Sequence, residues 1–121
     1  MGLINSILTW VMKQRIHQIE LFMKYPHDVQ EELFKGLIEN AQHTTFGKKY
    51  QFADITNYDQ YRERVPIFTY ETLFPYIQKL MRGEQNVLWP SEIKWFSKSS
   101  GTTNQRSKFI PVSLEALQEC H

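Results

Sequence analysis

Ser97-Lys98-Ser99-Ser100-Gly101-Thr102-Thr103-Asn104-Gln105-Arg106-Ser107-Lys108 lies between two short apolar runs, Ile93-Lys94-Trp95-Phe96 and Phe109-Ile110-Pro111-Val112. The runs read as one strand entering a polar loop and one leaving it. Such a loop between short strands, following a helix-rich stretch, points to an α/β fold. Ser99 to Thr103 supply four hydroxyls and a glycine in five residues, bracketed by Lys98, Arg106 and Lys108. Hydroxyls and free backbone N–H groups donate to phosphate oxygens, and Gly101 has no Cβ to block a ligand. The neighbouring cations would offset a polyphosphate's charge. A nucleotide-phosphate loop is the leading reading.

The motif is not a P-loop, because no Gly-Lys-Ser/Thr occurs and Gly101 is followed five residues later by Arg106. By composition alone a solvated Ser/Thr-rich turn accounts for the loop equally well. The flanking strands favour the phosphate reading.

Ser99-Ser100-Gly101-Thr102-Thr103 with Lys108 at its end resembles the ATP-phosphate loop of adenylate-forming enzymes. The spacing is that of the Gretchen Hagen branch, the acyl acid–amido synthetases first described as auxin-responsive proteins. Further segments are similar to bacterial members of that branch. They are Thr45-Phe46-Gly47-Lys48-Lys49-Tyr50, Arg64-Val65-Pro66-Ile67, Tyr70-Glu71 before Pro75-Tyr76-Ile77, and Gly83-Glu84 before Leu88-Trp89-Pro90. The likeness runs along essentially the whole chain. It departs at Gln105, where many members carry a second glycine.

The resemblance implies an α/β fold: the helix-rich N-terminal portion of an adenylate-forming enzyme's large domain, with short strands flanking the phosphate loop. Residues 1–83 are expected to be mainly helical, and 84–121 to form strand, loop, strand and the start of a helix. It implies ATP as cosubstrate, with magnesium, and a carboxylic acid and an amine such as an amino acid as the other substrates. Ser99, Ser100, Thr102 and Thr103 would hold the β- and γ-phosphates, Gly101 would admit the backbone, and Lys108 would stabilise the loop or its charge. Family enzymes are several times longer than 121 residues. The chain is therefore expected to be a piece carrying one motif of the site, inactive alone. No catalytic residue and no metal ligand is assigned to it. The rival classes are a non-catalytic nucleotide-binding or protein-interaction module and a peripheral membrane protein using residues 4–24.

Composition fits a cytoplasmic globular piece: 41% hydrophobic, 22% charged, net charge +1. Nothing in it points to a nucleic-acid partner. The single cysteine, Cys120, excludes an internal disulfide. Met1-Gly2-Leu3-Ile4-Asn5-Ser6 meets the loose myristoylation pattern, which chance also matches often. The segment is not a secretory signal, since Lys13 and Arg15 interrupt its apolar run. No stretch approaches the ~20 apolar residues of a spanning helix. His17, His27, His43 and His121 lack metal-ligand spacing. Cys120 and His121, as helix neighbours, point in different directions and do not make a nucleophile–base pair.

Apolar residues recur at helical steps over 4–24 and stop at Tyr25-Pro26. Packing on a parent domain, rather than on a membrane surface, is the favoured use of this helix, given Glu20 and a modest basic content. Asp28 with Glu31 resembles a capping box for a second helix with the face Val29, Leu33, Leu37, Ala41. Asn57 with Gln60 predicts a short helix ended by Pro66. Thr72 predicts a cap for the next, whose face is Leu73, Phe74, Ile77, Leu80 and Met81 and whose stop is Gly83. Val87-Leu88-Trp89 reads as a further short strand. Trp89, Trp95 and Phe96 could stack a base, but burial in the strands is their commoner fate. A last helix is expected to begin near Ser113.

Overall fold

The computed structural model describes residues 2–101 and 106–119. They divide after Gly36 into two compact units. The first holds helix α1 (Gly2–Lys24) and most of helix α2 (Pro26–Ala41). Tyr25 joins the helices: its N–H donates to Leu21 O at 2.8 Å, and its carbonyl accepts Val29 N–H at 3.1 Å. Pro26 has no N–H to continue α1 and suits a first helical turn, so the break falls where the sequence places it. Asp28 is not the cap. It sits inside the first turn of α2, where its charge meets the positive end of the helix dipole. Every described residue of α1 is exposed, and no described helix is long and apolar enough to cross a membrane.

The second unit begins with the end of α2. Of the expected α2 stripe Val29-Leu33-Leu37-Ala41, only Ala41 is fully buried. Leu33 and Leu37 are 58% and 56% exposed, and the buried residues are Ile38 and Ala41. Wholly buried Thr44 then ends one helix and starts the next. Its Oγ1 donates to Ala41 O at 2.7 Å and accepts Gly47 N–H at 3.0 Å, capping helix α3 (Thr45–Lys49). A Cβ on Gly47 would overlap the Ala41 carbonyl, so the glycine is what allows this close turn.

The next two donors of α3, Thr45 N–H and Phe46 N–H, bond to Asn86 O and Val87 O at 2.9 Å each. The stretch 87–89 is therefore not the expected strand. Its entry is tied to α3, and Asn86 is left-handed at φ 57°, a conformation asparagine tolerates but a strand cannot continue through. Gln85 substitutes for strand pairing: its Oε1 accepts Ile93 N–H at 2.9 Å. Phe46 also centres an aromatic cluster, with ring centroids 4.8 Å from Tyr50, 5.3 Å from Tyr76 and 5.5 Å from Phe68. These are the separations of favourable edge and tilted pairs.

A 3₁₀ turn (Phe52–Asp54) leads to helix α4 (Tyr58–Arg64), capped as expected by Asn57, which accepts Gln60 N–H at 2.9 Å. Helix α5 (Tyr70–Met81) starts earlier than Thr72 suggests. Thr69 is its cap, accepting Thr72 N–H at 3.2 Å, while Thr72 Oγ1 accepts Thr69 N–H at 2.8 Å. Pro75 thus lies inside the helix, past the first turn, and removes the N–H that would bond back to Glu71. Gly83, at φ 95°, closes α5: Gly83 N–H and Glu84 N–H bond to Leu80 O and Lys79 O at 3.0 Å each. That is a Schellman stop.

Ile77 and Leu80 of α5 are buried, and Leu80 forms a core with Val87 and Ile93 that Tyr76, Leu88 and Phe96 flank. Ile93 opens strand β1 (Ile93–Lys98), which pairs antiparallel with β2 (Phe109–Ser113), Lys98 facing Phe109. Trp95 departs from the burial expected of it, being 51% exposed. Ser113 caps helix α6 (Leu114–Glu119), accepting Ala116 N–H at 3.2 Å. The result is a helix-rich α/β chain with one small two-stranded sheet among the described residues.

Candidate functional site

In sequence, residues 99–108 connect the two strands of the hairpin. The ladder runs one step past β1, with Ser99 N–H donating to Lys108 O at 2.9 Å. Ser99 Oγ accepts Lys108 N–H at 3.0 Å in return. Two of the expected site residues therefore meet at the loop's neck. The Ser99 oxygen is engaged there, and its hydroxyl proton remains to donate. Ser100 and Gly101 follow, both exposed. Thr102 and Thr103, with Asn104 and Gln105, lie outside the described residues.

Tyr70, at the start of α5, is part of this site and was not singled out by the loop motif. Its hydroxyl accepts Phe109 N–H at 2.9 Å and donates to Phe109 O at 3.1 Å. Its ring lies 5.6 Å from Lys108 Nζ, within cation–π range. The available signal was the Tyr70-Glu71 pair, whose meaning depends on a contact 39 residues away.

Beside the neck, α5 and the loop's exit form an open groove of about 510 Å³. Tyr70, Phe74 and Met81 supply apolar walls, Arg106 and Lys108 the cations, and Glu71 a carboxylate. Among the described residues neither Arg106 nor Lys108 makes an ion pair. With the Ser99 hydroxyl at the neck and two cations, Arg106 and Lys108, that no described carboxylate neutralises, the groove suits an anion. Among the described residues no group of three or more His, Cys, Asp or Glu could hold a metal ion.

On the far side of the hairpin, Ser91 Oγ donates to Glu115 at 2.8 Å. The Glu115 carboxyl is held below its ordinary range, first by its own backbone N–H and then by Ser91. Lys49 is shifted up by a hydrogen bond to Tyr76 and by the charges of Tyr50 and Tyr76.

The fold and site define a helix-rich α/β chain carrying this hairpin, and residues 15–121 match the GH3 family N-terminal domain. The chain belongs to the GH3 family. It is 31% identical over 104 residues to a jasmonoyl–L-amino acid synthetase, JAR6, of Nicotiana attenuata, covering 85% of this chain and 18% of that protein. It is 29% identical over 100 residues to a probable indole-3-acetic acid-amido synthetase, GH3.1, of Arabidopsis thaliana, covering 82% and 17%. A jasmonoyl–L-amino acid synthetase of Oryza sativa subsp. japonica, GH3.5, is 26% identical over 107 residues, covering 88% and 18%. The chain thus spans 17–18% of the length of these curated relatives.

Proposed function

We propose that this chain is the N-terminal, ATP-handling portion of a cytoplasmic acyl acid–amido synthetase of the bacterial type, and that it does not catalyse the reaction alone. The observation that carries the reading is the closed neck Ser99–Lys108 of the hairpin, between whose ends the sequence of this GH3 family chain is rich in hydroxyls. The relatives' names, jasmonoyl- and indole-3-acetic acid-amido synthetases, support the reaction class.

In that reaction a carboxylate oxygen bonds to the α-phosphorus of ATP and the α–β bridge breaks, releasing pyrophosphate. The amine nitrogen then bonds to the acyl carbon, loses a proton, and AMP departs. The carboxylate is already ionised at neutral pH, so the first step requires no general base. It requires orientation and neutralisation of the departing charge. Ser99, Ser100, Thr102 and Thr103 provide donors to the β- and γ-phosphates, Gly101 lets the backbone approach, and Lys108 provides charge. Magnesium enters only as the usual companion of ATP's phosphates.

The test is ATP–pyrophosphate exchange by the protein of the complete reading frame, with jasmonate-like and indole-acetate-like acids supplied in turn. Exchange that depends on a carboxylic acid, followed by amide formation when amino acids are added, is the expected result. Tight ATP binding with no exchange under any acid would favour a non-catalytic nucleotide-binding module instead.

A further inference from the structure

We infer that Tyr70 is a positioning residue for the Lys108 ammonium; this rests on the reading of Lys108 as a phosphate-facing charge. Three contacts converge. Tyr70's hydroxyl takes both backbone groups of Phe109, the residue that follows Lys108, at 2.9 and 3.1 Å. Its ring takes the Lys108 ammonium at 5.6 Å. From the other side, Ser99 holds the Lys108 backbone through two bonds.

A lysine normally loses much rotamer freedom when it engages an anion. Here one side chain fixes both the strand residue next to Lys108 and the resting place of its charge. The anchor is itself rigid, because Tyr70 is the first residue of α5, immediately after the reciprocal Thr69–Thr72 cap. Tyr70 need not touch nucleotide to act; it acts through Lys108.

The first measurement is ATP–pyrophosphate exchange by the complete protein carrying Y70F, K108A or both, with melting temperatures recorded for each. Lys108→Ala should lower exchange efficiency about tenfold. Tyr70→Phe keeps the ring and loses both bonds to Phe109; it should cost roughly threefold to tenfold when Lys108 is present and nothing further in the K108A background. The second measurement needs no turnover: acetylation of the Lys108 amine by acetic anhydride, read by peptide mass, should be about two- to fivefold faster in Y70L than in wild type. Equal loss from Y70F in both backgrounds, or unchanged Lys108 acetylation in Y70L, overturns the role of Tyr70 alone. Wild-type exchange in K108A removes the phosphate reading of Lys108 and this inference with it.

Discussion

Position 47 accepts only glycine, because any Cβ there would enter the Ala41 carbonyl that also receives the Thr44 hydroxyl. Gly47→Ala should destabilise the fold by about 2 kcal/mol or more, as overpacking against backbone does, and a denaturant melt would report it. This glycine belongs to the segment Thr45–Tyr50 on which part of the family resemblance rests, so that resemblance reads a packing requirement. Glu115 gives a pH prediction. Its carboxyl titrates lower folded than unfolded, so its contribution is present above the ordinary value of 4.5 and fades as pH falls through that value toward the folded one. Glu115→Gln should remove this part of the acid limb of a stability–pH profile. Lys49 has the opposite sign: with its folded pKa raised, its contribution is complete below 10.5 and disappears at higher pH.

Among the elements, those with a local chemical signal were legible. Pro26 fixes the break between α1 and α2, Asn57 and Ser113 cap α4 and α6, and Gly83 stops α5. Nothing lies within 4 Å of a Cβ added at Gly83, so Gly83→Ala tests backbone strain alone. It should cost about 1 kcal/mol, measured as a shift of the melting midpoint. Elements whose form depends on a distant partner were not legible. Val87-Leu88-Trp89 has strand composition, yet α3 takes the Asn86 and Val87 carbonyls from more than 40 residues away. Thr69 and Thr72 both suit a cap, and the sequence cannot rank them, since each hydroxyl serves the other's N–H. The packed face of α2 was also misplaced, since Ile38 is buried where Leu37 was expected.

On the scale of the molecule, helix α1 buries none of its described residues; Trp10 and Ile7 are 63% and 61% exposed. The 121-residue chain on its own should therefore bind a hydrophobic dye or self-associate. A sharp monomeric melt without dye binding would identify it as self-sufficient. The two strands of the hairpin were legible because their signal is contained in twenty consecutive residues. Tyr70 was not, because its place beside Lys108 is created by folding α5 against β2.

The most direct measurement of the central claim is acid-dependent ATP–pyrophosphate exchange by the complete protein with Ser100→Ala, Thr102→Ala and Lys108→Ala, melting temperatures alongside. A donor lost to a charged acceptor is worth about 1.5–3 kcal/mol, so the first two changes should lower exchange efficiency roughly tenfold to a hundredfold while stability holds. Lys108→Ala should lower it by about tenfold. A loop that is only a solvated turn would tolerate all three within about 0.5 kcal/mol of stability and keep full exchange, and that result would contradict the phosphate-binding role of this hairpin.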